Sequence, residues 1–186
     1  VQTIIPVPNI GEPIMGWLQI VSPDVLVLTG GNDVHYGQEF AGPRDSLSDL
    51  RDLTEMHCLQ YAFSKTLPVL GVCRGMQMIH AYFGGKLAGI DGHAGTVHEI
   101  ECKWPDEHGT EWIRRVVNSY HDFAVREPLH PDLIPIGVHR ESSAIEAFMH
   151  SKLPVLGIMW HPERNQPFDE QDLIWVKRIL SAGKGA

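Results

Sequence analysis

Three short, unbroken apolar runs organise the chain: Asp24-Val25-Leu26-Val27-Leu28-Thr29, Pro68-Val69-Leu70-Gly71-Val72 and Pro154-Val155-Leu156-Gly157-Ile158-Met159-Trp160. Each is rich in branched residues, lacks polar alternation and stops abruptly at Gly, Cys or His. Continuous apolar runs of this length fit strands buried on both faces, as in a parallel sheet. Between the first two, Ser46 to Lys65 reads as a helix, with Ser46 placed to cap it and Leu50, Leu53, Cys58, Tyr61 and Ala62 as its apolar positions. A second helix is predicted from Arg74 to Phe83, stopped by Gly84-Gly85, and a last one from Glu170 to Leu180. Strands alternating with helices predict an α/β fold, a three-layer α/β/α sandwich.

The stretch from about Lys86 to Met149 departs from that rhythm. It is rich in Gly, Pro and His, and Ile134–His139 and Ala144–Phe148 flank the polar turn Arg140-Glu141-Ser142-Ser143, which predicts an antiparallel β-hairpin. The opening run Val1-Gln2-Thr3-Ile4-Ile5-Pro6-Val7 reads as a strand already inside a domain. Because it starts on Val rather than Met, an upstream piece is expected to be absent or processed. Residues 1–181 are expected to form one domain, with 182–186 a flexible tail.

Composition narrows the classes. With 186 residues, 43% of them hydrophobic, one compact core is the default. A formal charge of −8 and a pI near 5.7 argue against a nucleic-acid partner, which calls for a basic face. Three Cys without a disulfide-like spacing, no run near the roughly 18 apolar residues that span a bilayer, and no visible signal peptide point to the cytoplasm. The 11 His make the charge sensitive to mild acid. They are dispersed and nothing resembles Cys-x-x-Cys, so no metal site and no cofactor is expected.

The segment Val69-Leu70-Gly71-Val72-Cys73-Arg74-Gly75-Met76-Gln77 carries the strongest chemistry. A buried strand ends at Cys73 and a helix starts at once, so the thiol stands above the sheet edge. The helix N-terminus is expected to favour thiolate over thiol. Gly71 and Gly75 leave room for a sharp turn, and the Arg74 backbone N–H lies beside the sulfur, where it can stabilise an oxyanion. An inert core cysteine is the competing reading. At the other end, Trp160-His161-Pro162-Glu163 follows the third run. In an extended backbone residues two apart share a side, so Glu163 is expected to hold the His161 ring while His161 serves Cys73 as base. Thr29-Gly30-Gly31-Asn32-Asp33 closes the first run in the same way and can aim a backbone N–H into the cleft. Both Cys73 and His161 stand at C-terminal strand ends, where ligands bind in open α/β sheets.

These pieces, in this order, resemble class I glutamine amidotransferases, and most of all their γ-glutamyl hydrolase-like branch, peptidase family C26. The family's Gly-x-Cys-Arg-Gly-x-Gln matches Gly71–Gln77 at every fixed position, and its His-Pro-Glu matches His161-Pro162-Glu163. Its Gly-Gly-x-Asp-like loop, Arg-Asp-x-x-Glu segment and Val-Asn-Ser-x-His segment match Gly30–Asp33, Arg51–Glu55 and Val117–His121. The resemblance implies a flavodoxin-like sandwich, a Cys73, His161 and Glu163 triad, and a γ-glutamyl thioester on Cys73. It implies an oxyanion hole from the Gly31 and Arg74 N–H groups, and substrate contacts from Gly30, Asn32, Gln77, Asn118, Ser119, Tyr120 and His121. Arg51, Asp52 and Glu55 are weaker matches that read equally well as a solvated helix face with an Arg51–Glu55 pair. His93 and His98 would line the leaving-group side. The strand and long helix that open family members are missing before Val1, so an exposed sheet edge is expected. The compact size and Asn118-Ser119-Tyr120-His121 resemble members from bacterial surface-polysaccharide pathways, some of which cut γ-glutamyl–nucleotide conjugates for capsule phosphoramidate.

Three functions follow from this reading. The first is hydrolysis of a small-molecule γ-glutamyl amide, with no nucleic-acid or membrane partner and a homodimer as one expected assembly. The second is a glutaminase that hands ammonia to a synthase partner. The third is a binding protein that has lost catalysis, for which inertness of Cys73 to iodoacetamide at neutral pH would speak.

Overall fold

The structure, a computed structural model, describes residues 3–39, 46–104 and 111–182. Its centre is three parallel strands, Leu26–Leu28 (β1), Val69–Val72 (β2) and Val155–Ile158 (β9), in the order β1-β2-β9. Register follows the sequence closely: Val69, Leu70, Gly71 and Val72 face Val155, Leu156, Gly157 and Ile158. Alternate positions point to opposite faces. Val69 and Val155 join a core with the helices Ile14–Val21 (α1), Ser46–Ser64 (α2) and Arg74–Tyr82 (α3). Leu70, Val72, Leu156 and Ile158 join a second core with Trp175 and Ile179 of the helix Glu170–Ser181 (α4). Helices therefore cover both faces, as expected for the three-layer α/β/α architecture.

Two glycines set how closely α3 approaches. A Cβ on Gly157 would lie 2.8 Å from Met76 Cγ, and one on Gly75 would lie 2.3 Å from the Leu28 carbonyl oxygen. Asp169 caps α4 by accepting from the Gln171 and Asp172 amides at 2.8 and 3.2 Å.

The predicted β-rich excursion forms Leu87–Gly89 (β3), Ala94–Cys102 (β4), Ile113–Tyr120 (β5), Phe123–Val125 (β6), Leu133–His139 (β7) and Ala144–His150 (β8). These strands continue the same sheet antiparallel, in the order β9-β8-β7-β4-β5, with β3 on β6 and β6 on β8. The predicted hairpin is β7–β8, paired from Leu133↔His150 to His139↔Ala144.

Two expectations fail. Residues 3–10 form no strand and are exposed, with Ile4 91% accessible; Val1 and Gln2 lie outside the described residues. Pro6 and Pro8 have no amide hydrogen to give a ladder, which removes two donors from the short run. On α2, Leu50 and Leu53 are exposed, whereas Asp52, Glu55 and Thr54 turn inward. A buried arginine on α3 claims that face. Of the expected tail, Ala182 directly follows α4, and 183–186 lie outside the described residues.

Candidate functional site

The three parallel strands end at one edge, and the loops that follow them converge there. Cys73 leaves β2 with φ 51° and ψ −106°, a conformation that L-residues rarely adopt and that costs on the order of 1–3 kcal/mol. It is held by the Cys73 amide donating to the Ile158 carbonyl at 2.8 Å and by the Gln77 amide donating back to the Cys73 carbonyl at 3.1 Å. The side chain is only 5% exposed. Burial pushes the Cys73 thiol up to about 11, although the Arg74 backbone N–H and the Arg164 charge pull the other way. The expectation of a thiolate favoured by the helix N-terminus is therefore corrected for the free protein: desolvation outweighs the dipole. Inertness to iodoacetamide at neutral pH accordingly ceases to separate an enzyme from a binding protein.

His161 follows β9, and its Nδ1 lies 2.6 Å from Glu163 Oε1. The chain is not extended through the pair, since Pro162–Arg164 form a 3-10 turn, and the contact closes across that turn. The imidazole is buried and the Glu163 carboxylate half-exposed. The Gly30-Gly31 loop packs directly on that ring: a Cβ on Gly30 would lie 2.7 Å from His161 Cε1. Tyr120 stands edge-on to the imidazole at 5.6 Å, and Arg164 lies over the Tyr120 ring at 3.8 Å. A strand-end cysteine and a His–Glu pair at the end of the neighbouring parallel strand are the kinds of group that nucleophilic acyl transfer uses.

Arg51, Asp52 and Glu55 do not form a solvated face. Arg74, 1% exposed, is clasped by Asp52 and Glu55, and Glu55 also accepts from Arg51 Nε at 2.8 Å. Arg51 then donates to the Thr29 and Gly30 carbonyls at 3.1 and 3.2 Å. A Cβ on Gly31 would lie 2.1 Å from Arg51 Nη1, so a side chain there would push the guanidinium off the loop. One chain of charges thus ties the Gly31 amide to the Arg74 amide. Asn32 belongs to the same loop, donating to Ser48 and accepting from Arg51 at 3.4 Å.

The other expected substrate contacts are largely committed within the protein. Asn118 grips the His161 backbone, accepting from its amide at 2.8 Å and donating to its carbonyl at 2.9 Å. Gln77 donates to the Phe123 carbonyl at 2.9 Å, and Ser119 donates to the His93 carbonyl. His121 is buried, with Nδ1 3.0 Å from the Phe123 carbonyl. Of the Asn118–His121 segment, Tyr120 alone presents an exposed side chain.

Sequence reading singled out His93, His98 and His121 one by one but did not foresee the cluster that they form with His139 and Glu146. His93, His98, His121 and His139 gather around Glu146 of β8, which is 1% exposed. The Glu146 carbonyl accepts from the Met159 amide at 2.8 Å, two residues before His161, and its charge reaches the Cys73 thiol. Burial alone would raise the Glu146 carboxyl, but the imidazoles of His121, His93 and His98 reverse this and hold it well below the usual carboxylate range. The cluster was not visible beforehand because its residues come from five separate strands and turns.

Known proteins share the fold and part of the sequence. Over 156 residues, 83% of this chain and 70% of the relative, the sequence is 35% identical to a γ-glutamyl-CDP-amidate hydrolase from Campylobacter jejuni. It is 35% identical over 99 residues, about half of each chain, to a glutamine-hydrolyzing GMP synthase subunit from Pyrococcus abyssi. The fold resembles a glutamine amidotransferase from Thermotoga maritima, with a TM-score of 0.59 and 18% identity over 88% of this chain and 66% of that one. Residues 2–163 match the peptidase C26 family, so the chain belongs to that family of hydrolases.

Proposed function

We propose that the chain hydrolyses γ-glutamyl amide bonds with Cys73 as nucleophile, His161 as acid and base, and Glu163 as the group that orients His161. The observation that supports it most is a buried cysteine held at φ 51° on a strand-to-helix turn, beside a His–Glu pair 2.6 Å apart on the adjacent strand end. In this mechanism the Cys73 proton passes to His161 as sulfur attacks the γ-carbonyl carbon. The oxyanion is held by the Gly31 and Arg74 N–H groups. His161 returns the proton to the leaving nitrogen as the C–N bond breaks. Water then attacks the thioester through His161, releasing glutamate and the thiol. Tyr120 and the backbone at Gly30 and Asn32 line the proposed glutamyl pocket, while Gln77, Asn118, Ser119 and His121 support its walls from behind, Asn118 by fixing His161.

The proposed substrate is a γ-glutamyl–nucleotide conjugate, supported by the 35% identity to the Campylobacter enzyme. The proposed setting is the cytoplasm, supported by three buried cysteines that are all free; among the described residues no helix is long and apolar enough to cross a membrane. A glutaminase partnered by a synthase is the second reading, favoured by the similarity to the Pyrococcus protein. The deciding experiment is glutamate release from glutamine, γ-glutamyl polyamines, γ-glutamyl-aminobutyrate and a γ-glutamyl amide on a cytidine nucleotide. Preference for the nucleotide is expected. Turnover of glutamine alone would favour the synthase partner, and glutamate from none of them would overturn the hydrolase reading.

A further inference from the structure

The His–Glu cluster is not needed by the thioester chemistry, and its geometry is unusual for a proton network. His93 Nδ1, His121 Nε2 and Glu146 Oε1 form a triangle with edges of 3.3, 3.5 and 3.6 Å. Four ligands around Zn²⁺ at about 2.0–2.1 Å stand about 3.3–3.4 Å from one another, so the triangle has the dimensions of one face of that tetrahedron. All three residues are at least nine-tenths buried. Neither carboxylate oxygen of Glu146 has a partner at close hydrogen-bond range among the described residues; its neighbours are three imidazole nitrogens at 3.5–3.6 Å, a loose shell for a buried charge.

The shell around the triangle is arranged as metal-binding histidines require. A carbonyl oxygen only accepts, so His121 Nδ1, 3.0 Å from the Phe123 carbonyl, donates to it, and in a neutral ring that tautomer presents the Nε2 lone pair to His93 and Glu146. The Ser119 hydroxyl holds the His93 carbonyl, fixing the loop that supplies Nδ1. His98 packs beside the triangle, its Nε2 3.5 Å from the other Glu146 oxygen, Oε2, and neither of its ring nitrogens has a hydrogen-bond partner among the described residues. A nitrogen-rich set with one carboxylate suits Zn²⁺ and its transition-metal neighbours rather than Ca²⁺ or Mg²⁺.

We propose that His93, His121 and Glu146 form a buried three-residue binding site for a divalent transition metal of the Zn²⁺ type, the fourth position being left to an exogenous ligand. A second trio, His93, His98 and His139, also brings ligand atoms within 4.8 Å of one another. It is more exposed and contributes no negative charge, and its use of His93 competes with the inner triangle. The inner set is the more buried and supplies a carboxylate to offset the metal charge, so the metal is assigned to it.

The test is independent of turnover. Full-length protein stripped with EDTA is titrated with Zn²⁺ by calorimetry, and metal content is measured by mass spectrometry on wild type, Cys73→Ala, His139→Ala, His121→Ala and Glu146→Gln. One Zn²⁺ per chain is expected in wild type, Cys73→Ala and His139→Ala. The His121 and Glu146 variants should lose more affinity than the roughly 10–100-fold that an outer-shell substitution costs. Because a core variant can fail to fold, Co²⁺-loaded wild type supplies a second readout: tetrahedral d–d bands without a sulfur-to-cobalt charge-transfer band. Absence of binding by folded wild type, loss of the metal in Cys73→Ala, a thiolate band, or loss in His139→Ala with retention in Glu146→Gln would each overturn the assignment.

Discussion

A thiol held near 11 is almost wholly protonated at neutral pH, so Cys73 meets its substrate as a neutral group. In the proposed mechanism it ionises when a carbonyl is in place and His161 can take the proton. Ultraviolet titration of thiolate in the free protein should therefore show no step near neutrality that disappears in Cys73→Ala; such a step would mean a preformed thiolate–imidazolium pair. Turnover should fall about 10⁴- to 10⁶-fold in Cys73→Ala with the fold retained, and by a smaller factor, on the order of 10²–10³, in Glu163→Gln, whose carboxylate is half-exposed. Equal kcat losses would contradict that ordering. At this scale the sequence was informative where chemistry is local, as at Gly71–Gln77 and His161–Glu163. It was silent on whether a side chain is free to meet a ligand, because the Asn118 clamp on His161 and the Ser119 bond to His93 join distant segments.

Among the elements, the unbroken runs at β1, β2 and β9 were legible because burial on both faces leaves no polar alternation to confuse with a helix. The inward face of α2 was not legible. Hydrophobic periodicity assumes that charge points outward, and here Asp52 and Glu55 turn in to meet Arg74. Removing one partner from so buried a pair leaves a naked charge, so Asp52→Ala should destabilise the fold by about 3–5 kcal/mol in urea unfolding. A loss under about 1 kcal/mol would show that the network is dispensable. Close helix–sheet approach gives a second expectation. Gly75→Ala forces a methyl to 2.3 Å from the Leu28 carbonyl, so α3 must move off β1, and stability should drop by about 1–3 kcal/mol. Activity should fall with it, because α3 carries the Arg74 amide.

Taken as a whole, the molecule couples its stability to histidine protonation. His150 Nδ1 accepts from the Lys152 and Leu153 amides at 3.0 and 3.1 Å, which requires that nitrogen to be unprotonated, and burial lowers the His150 pKa further. Burial likewise lowers that of His80, 1% exposed. Both groups are neutral when folded and take up a proton more readily when unfolded. Their contribution is therefore intact above the ordinary imidazole value of about 6.5 and is lost as pH falls below it towards the folded value. Thermal midpoints should decline between pH 7 and pH 5, and His150→Asn, which keeps an acceptor and removes the proton site, should flatten the curve. An unchanged slope in that variant would count against the His150 contribution.

The left-handed backbone at position 73 has an evolutionary corollary. Its dihedrals mirror an extended conformation that glycine adopts at no steric cost, so Cys73→Gly should be more stable than Cys73→Ala by about 1 kcal/mol in denaturant unfolding. A library of variants sorted for heat resistance alone would drift towards discarding the proposed nucleophile, and only a screen that also demands turnover would keep it.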